Sequence, residues 1–279
     1  MFEAYGDFAG VYDELMDNIP YKEWAALLSE LINRYGVSRP VRKMQDPLES
    51  ERNLVVDLGC GTGTLTELMY EKGYDMIGVD ISEDMLNVAA AKRERSGYEI
   101  LYLAQDIREL ELYCTAGTII SVCDSLNYIL DKEEMLNLFR LVNNYLYPEG
   151  IFLFDFNTVY KYECLIGDAT IAENREDCSF IWENYYDPDL HLNEYDLTVF
   201  VKEADDRFRR FSETHVQRGY TPEEMSKLVE AAGLRIVEIM DMDTQGPVTG
   251  ESGRVLIAAK ESGKYPDFDG NEICIRKRG

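Results

Sequence analysis

The sequence predicts an α/β fold built on a mostly parallel sheet with helices on both faces, interrupted once by a small antiparallel β insertion. Three observations carry this expectation. Apolar strands and amphipathic helices alternate five times along the chain, the order that wraps helices over a parallel sheet. The first buried strand runs straight into a glycine-rich turn, Leu54-Val55-Val56-Asp57-Leu58-Gly59-Cys60-Gly61-Thr62-Gly63, and the next, Met76-Ile77-Gly78-Val79, ends on a carboxylate, Asp80. Between residues 157 and 219 the alternation stops and three β-rich runs follow one another.

The elements follow in order. Trp24, Leu27, Leu28, Leu31 and Ile32 recur at helical spacing and Gly36 stops the run, so residues 20 to 35 read as an amphipathic helix within an N-terminal cap over residues 1 to 36. A linker with Pro40 and Pro47 leads to the first strand. The helix after the glycine turn carries Leu65, Leu68 and Met69 on one face and ends near Gly73. Ser82 caps the next helix, with Glu83 and Asp84 in its first turn, Lys92, Arg93 and Arg95 in its last, and Gly97 beyond, charges that suit the helix dipole at both ends. Strand three, Glu99 to Ala104, runs into Gln105-Asp106-Ile107. Strand four, Thr118 to Val122, runs into Cys123-Asp124-Ser125. Asp131 and Glu134 read as a capping box, and Pro148-Glu149-Gly150 turns the chain into strand five, Ile151 to Phe154.

The insertion reads as a three-stranded meander. Its runs are Cys178 to Tyr186, Leu192 to Val201 and Phe208 to Gln217, separated by turns at Asp187-Pro188-Asp189 and Ala204-Asp205-Asp206. Thr221-Pro222-Glu223-Glu224 is a capping box with proline at the first helical position. Closing strands near Leu234 to Met240 and Val255 to Ala259 complete the pattern. The expected organisation is a core of residues 1–156 and 220–260, an insertion over 157–219, and a tail over 261–279 whose Arg276, Lys277 and Arg278 read as a solvated end.

Composition narrows the function classes. The 279 residues suffice for one full core with an insertion. No apolar stretch approaches the 18 or so residues of a membrane span, and Met1 to Asp7 lacks the basic and apolar regions of a signal peptide. Cys60, Cys114, Cys123, Cys164, Cys178 and Cys274 show no C-x-x-C pairing and read as reduced thiols of a cytoplasmic protein. With His191 and His215 as the only histidines, no metal site is expected. The formal net charge of −25 repels polyanions, which disfavours nucleic acid as a partner; solubility accounts for it as well.

The glycine spacing separates two cofactor classes. A dinucleotide-binding turn has glycine at its first, third and sixth positions. Here the sixth is Thr64, and the pattern is Gly-x-Gly-x-Gly preceded by Asp57, with Asp80 standing 21 residues after Gly59. This resembles motif I of the class I S-adenosylmethionine-dependent methyltransferases, and the resemblance covers roughly residues 50 to 260, most specifically in its first half. It implies a Rossmann-like seven-stranded sheet of order 3-2-1-4-5-7-6 with the seventh strand antiparallel. It implies S-adenosyl-L-methionine as cofactor, with Gly59, Cys60, Gly61 and Gly63 bordering its methionine half, Asp57 orienting the loop and Asp80 holding the ribose. Asp106 matches the acid that accepts from the adenine amino group, Ile81 and Ile107 flank the ring, and the backbone of Cys123 meets the methionyl ammonium. Several lid-bearing members carry a Tyr-Asp pair ahead of the first helix, which points to Tyr12, with Tyr5 and Tyr21 as further candidates; packing as a hydrophobic staple explains such aromatics equally well. Insertions after strand five cover the substrate end in small-molecule members such as glycine and amino-sugar N-methyltransferases; an unrelated sheet protecting a core edge is the other reading of residues 157–219.

Methyl transfer from a sulfonium is an in-line displacement that needs alignment and exclusion of water more than a catalytic base. No convincing dyad is visible. Substrate contacts are expected from Asp124, Asn127 and Tyr128 after strand four, from Asp155 and Asn157 after strand five, and from Trp182, Tyr185, Tyr186, Phe211, His215 and Arg218 in the insertion. Phe211, Glu213 and His215 alternate and so share one strand face. His215 is the one candidate base, against the commoner role of a packing histidine. Residues 163–206 hold thirteen acidic side chains against Arg175 and Lys202, which favours a cationic or amine-bearing acceptor. The leading reading is methyl transfer to the N or O of a small molecule. The alternatives are transfer to protein or RNA, which a basic groove beside the glycine turn would favour, and a non-enzymatic cofactor-binding module.

Overall fold

The computed structural model describes residues 8–42, 46–203 and 207–263. The chain opens with helices α1 (Ala9–Leu15), α2 (Tyr21–Tyr35) and α3 (Pro47–Asn53), then enters β1 (Leu54–Leu58). There follow α4 (Thr64–Glu71), β2 (Asp75–Asp80), α5 (Glu83–Ser96), β3 (Leu101–Ala104), β4 (Ala116–Ser121), α6 (Lys132–Tyr145) and β5 (Leu146–Asn157). The insertion holds β6 (Thr170–Asn174), β7 (Cys178–Asp187), β8 (Leu192–Lys202) and β9 (Phe208–Arg218). The chain then closes with α7 (Pro222–Ala231), β10 (Leu234–Asp241) and β11 (Arg254–Glu261).

The core sheet runs β3-β2-β1-β4-β5-β11-β10. The first five strands are parallel, and β11 is antiparallel to both neighbours. With β10 and β11 counted as sixth and seventh core strands, this is the 3-2-1-4-5-7-6 order. Every residue of β1 is buried, as a central parallel strand covered on both faces requires. Successive side chains face opposite sides of the sheet: Val55 packs with α2 and α4, while Val56 packs with α6 and α7. Among the described residues no helix is long and apolar enough to cross a membrane.

Several elements differ from expectation, each for a local reason. Tyr12 and Asp13 lie inside α1 rather than ahead of the first helix. The presumed linker contains α3, with Asp46 accepting from the Leu48 amide at 2.8 Å and Pro47 at the first helical position, where its missing N–H costs nothing. The insertion is a four-stranded sheet, β6-β7-β8-β9, not three. All five residues of β6 are exposed, so it lacks the alternation that marks a strand with one buried face. Asp131 caps α6 through the Glu133 and Glu134 amides, but Glu134 turns its carboxylate to Arg108 instead of completing a box. The Thr221–Glu224 box is complete. The Ala204-Asp205-Asp206 turn, Tyr5, Cys274 and the basic end Arg276 to Arg278 lie outside the described residues.

Gly117 shows how tightly α3 is seated against β4. A Cβ there would stand 1.7 Å from the Arg52 carbonyl oxygen. Gly117→Ala is therefore expected to lower stability by about 1–3 kcal/mol or more, the range for overpacking a close contact. A urea midpoint equal to that of the parent protein would show that α3 moves aside freely.

Candidate active site

The glycine turn is fastened at both ends by buried acids. All three turn glycines have positive φ, a conformation glycine adopts without a Cβ penalty. Their surroundings differ. A Cβ on Gly59 would meet Ser125 Oγ at 2.5 Å, and one on Gly63 would meet Tyr102 Oη at 2.4 Å, whereas Gly61 faces open space. Asp80 accepts from the Gly61 amide at 2.7 Å and the Ser82 amide at 2.8 Å, joining the turn to the start of α5. Asp57 accepts from Thr66 Oγ1 of α4 at 2.6 Å. Burial pushes the Asp57 carboxyl up to about 7; the Thr66 bond opposes this and the Asp80 charge adds to it. Burial also raises Asp80 against its backbone hydrogen bonds. Neither acid meets a cationic side chain among the described residues.

At the end of β4 the chain makes an unusual turn. Cys123 and Asp124 both have positive φ, 68° and 55°, which costs about 1–3 kcal/mol per residue where no glycine is present. Asp155 of β5 holds the turn by accepting from the Asp124 amide at 3.0 Å. Arg254 of β11 pairs with Asp155 at 3.1 Å and Asp124 at 2.9 Å, and its guanidinium lies 5.2 Å from the Trp24 ring centroid. Burial works against the Arg254 charge, but the two carboxylates outweigh it and hold its proton more firmly than usual. Burial pushes the Cys123 thiol up to about 12, so it stays protonated.

Helix α1 lies across the glycine turn. Asp13 accepts from Thr62 at 2.5 Å, Thr64 at 3.0 Å and Lys92 at 2.7 Å; burial raises its pKa, but these partners win and hold it below the usual range. Tyr12 and Tyr21 close a cavity of about 50 Å³ against Asp57, Gly59, Gly61 and Cys123. A hollow of about 430 Å³ lies outside, along α2 and α4, and touches neither Asp57 nor Asp80.

The insertion brings one face to this edge of the core sheet. Gln217 of β9 donates to Asp124 at 2.8 Å, and His215 Nδ1 lies 3.2 Å from Tyr128 Oη, in the helical turn after β4. Tyr195 of β8 stacks on His215 with ring centroids 4.9 Å apart, Trp182 of β7 follows at 5.1 Å from Tyr195, and Phe8 meets the other side of His215. Glu213 Oε2 lies 3.3 Å from His215 Nε2. The Trp182 indole N–H is buried and finds no acceptor among the described residues.

Known proteins share this arrangement. A family model described as a methyltransferase domain matches residues 55–150. The YqeM protein of Bacillus subtilis (strain 168), which bears the methyltransferase name without a stated acceptor, is 33% identical over 259 residues, spanning 92% of this chain and 97% of its own. The chain is a class I S-adenosylmethionine-dependent methyltransferase. The crystal structure of an S-adenosylmethionine-dependent methyltransferase from Clostridium acetobutylicum ATCC 824 superposes with a TM-score of 0.79 at 28% identity, covering 92% of this chain and 98% of that one. A sugar N-methyltransferase, KedS8 of Streptoalloteichus sp. ATCC 53650, shares the fold with a TM-score of 0.69 at 17% identity, covering 93% and 94%.

Within this methyltransferase the expected site residues divide. Tyr12, Asp57, Gly59, Cys60, Gly61, Gly63, Asp80 and Cys123 converge on the cavity or its walls, and Ile81 stands 41% exposed at the rim of β2. Others are engaged elsewhere. Asp106 caps the short helical turn at Ile107, and its two oxygens each take two bonds from Arg108. Asn127 is fully buried and clamps the backbone of Asn157 and Arg218, so the expected substrate contact is instead a tie between β5 and β9. The Asn157 side chain is held by Tyr162 and Lys161. Asp155 is buried in the Arg254 pair, whereas Tyr185 is exposed. Asp13 entered sequence reasoning only as half of the Tyr-Asp pair, and Tyr195 and Arg254 escaped it. A lone arginine opening the buried run Val255 to Ala259 was the available signal for the last.

The Asp57 shift fixes a sign for stability. Its pKa is about 7 folded and about 3.9 unfolded. Between those values the folded state binds more protons, so this group makes stability fall as pH rises, by up to about 1.4 kcal/mol per unit, with no effect beyond either limit. Urea titrations at a series of pH values should show that fall in the parent protein and a flatter profile in Asp57→Asn. Parallel profiles from about pH 4 to about pH 7 would mean that Asp57 does not titrate there.

Proposed function

We propose that this methyltransferase moves the methyl group of S-adenosylmethionine to a small-molecule acceptor held between the aromatic face of the insertion and the carboxyl ends of β4 and β5. The observation that carries the reading is that face: Trp182, Tyr195 and His215 stand beside Tyr128 and Gln217 reaches Asp124, at the edge where the glycine turn opens. The likeness of KedS8 in fold supports a small acceptor, and the charge of −25 argues against nucleic acid.

The donor fits the residues present. Gly61 leaves room for a ligand to approach its backbone, and Asp57 and Asp80 are buried acids without a counter-charge, which a cationic ammonium would supply to Asp57. In this reading Asp57 faces the ammonium end, Asp80 takes the ribose hydroxyls without pairing with a cation, Ile81 and Ile107 enclose the adenine, the Cys123 carbonyl meets the ammonium, and Tyr12 and Tyr21 shut water out. Asp106 reaches the adenine amino group only by exchanging a bond now made to Arg108. The donor supplies an activated methyl group; the chain aligns and dries the approach. Trp182, with its unanswered N–H, and Tyr128 are the polar groups offered to the acceptor.

Calorimetry should find S-adenosylmethionine and S-adenosylhomocysteine at one site, with NAD far weaker. Asp80→Ala should lose about 1.5–3 kcal/mol of that affinity, the range for hydrogen bonds to a charged group. An unchanged affinity in a folded variant would remove Asp80 from the site. Screening metabolite mixtures by S-adenosylhomocysteine release should identify a small acceptor, whereas methylation of purified RNA or protein alone would support the macromolecular alternative.

A further inference from the structure

We propose that Tyr128, His215 and Glu213 form a proton relay that removes the acceptor's proton during methyl transfer, with Tyr128 meeting the acceptor and Glu213 acting as a positioning residue behind His215. The proposal rests on the methyl-transfer reading above and deepens it. It restricts the acceptor to a nucleophile that carries both a lone pair and a proton it must lose, a hydroxyl on a ring-bearing small molecule.

Tyr128 reaches the surface, and His215 and Glu213 are both buried behind it. Tyr128 is 36% exposed, His215 4% and Glu213 9%. Tyr128 Oη lies 3.2 Å from His215 Nδ1, and His215 Nε2 lies 3.3 Å from the Glu213 carboxylate. The three residues come from two elements that meet over the site. Tyr128 ends the helical turn whose Ser125 packs against Gly59, while Glu213 and His215 occupy the inward face of β9, in line with Gln217, which bonds to Asp124. The titratable groups facing His215 are Glu213 on its own strand, Tyr195 stacked from β8 and Tyr128 from the turn; α1 contributes the neutral Phe8. Tyr195 Oη also lies 3.0 Å from Tyr128 Oη and helps hold that hydroxyl in place. The Glu213 carboxylate lies 3.3 Å from Nε2 without hydrogen-bond alignment, so it acts through its charge, which favours the tautomer with the proton on Nε2 and lets Nδ1 accept from Tyr128. Tyr195 stacked on His215, with Trp182 tilted against Tyr195, forms an aromatic wall suited to an acceptor that carries a ring.

The step balances. The acceptor's lone pair forms the bond to the methyl carbon, and the carbon–sulfur bond breaks with its electron pair left on sulfur, giving neutral S-adenosylhomocysteine. The acceptor's proton passes to Tyr128 Oη as the tyrosine's own proton passes to His215 Nδ1. The imidazolium then faces Glu213 until it yields its proton to solvent.

The test uses the untagged full chain with S-adenosylhomocysteine bound. The chain has two histidines, so imidazole nitrogen NMR reads His215 directly once His191→Gln assigns the signals. The relay expects the proton on Nε2 in the parent protein and a loss of that preference in Glu213→Gln, with Glu213→Asp restoring part of it. A proton on Nδ1 in the parent protein, or a tautomer unchanged by Glu213→Gln, overturns the relay. Turnover is probed with phenols of graded acidity. Tyr128→Phe and His215→Gln should lower kcat by about 10²-fold or more for weakly acidic phenols, the low end of a base's usual contribution, and by less for phenols already ionised at the assay pH. Glu213→Gln should lower kcat in the same graded way with KM little changed. Equal losses across the series overturn the relay; if no phenol is turned over, the NMR outcome decides. Unchanged S-adenosylhomocysteine affinity in these variants separates a failed relay from a failed methyl-transfer reading, because only the latter predicts that the parent protein does not bind it.

Discussion

The buried guanidinium of Arg254 is the point on which the site depends. It reaches from β11 to Asp155 on β5 and to Asp124 beyond β4, and it faces Trp24 of α2. Asp155 in turn holds the Asp124 amide, and Asp124 takes the Gln217 amide of the insertion. Two consecutive left-handed residues persist because these bonds over-determine them. A buried charge stripped of one partner typically costs about 3–5 kcal/mol, because the remaining charge is left unpaired. The sheet order makes the arrangement possible: only with β11 inserted antiparallel beside β5 does residue 254 arrive at the carboxyl end of β4.

The insertion gains its position from the same region. Asn127 bonds to the backbone of Asn157, which ends β5 before the insertion, and of Arg218, which ends β9, the insertion's last strand. Both chain crossings into and out of the insertion are thereby tied to the turn after β4. The aromatic face cannot shift relative to Tyr128 without breaking a buried amide's bonds, each worth about 1 kcal/mol net and more when a partner is left unsatisfied. Polar residues that sequence reasoning assigned to an acceptor instead set the geometry within which an acceptor can be held.

Much of the core was legible because its signals are dense. A fully apolar strand, three glycines at fixed spacing and an acid at the end of the next strand each restrict the chain, and together they indicate a parallel sheet with a crevice. The strand order was legible only through the family resemblance, since periodicity does not say which strands are neighbours. Helices α1 and α3, seven residues each, are too short to display a helical period, and β6, exposed along its length, has no face to alternate. For side chains the limit was different. Sequence position placed Asp106, Asn127 and Asn157 correctly at strand ends, but not their partners. For Asn127 these are main-chain groups 30 and 91 residues away; only Arg108, two residues from Asp106, was near enough to be suspected.

The two walls of the cavity are held differently. About 50 Å³ lies between Tyr12, Tyr21 and the glycine turn, against the roughly 300–1,000 Å³ of a typical small-molecule site. The wall formed by Cys123, Asp124 and Asp155 is fixed by the buried Arg254 pairs. The opposite wall combines Tyr21 of α2 with Tyr12 of α1, a seven-residue helix. Asp13 ties it to the core through Lys92, with the carboxylate 42% exposed, and Asp17 ties its far end to Arg175 of the insertion, with that carboxylate 64% exposed. Exposed ion pairs contribute about 0–1 kcal/mol each, well under the cost of opening a buried one. Apolar packing of Ala9 and Leu15 of α1, and of Phe8 at its N-terminal cap, against Met85 and the insertion adds to these pairs. One short helix is thus bonded to the glycine turn on one side and to the insertion on the other.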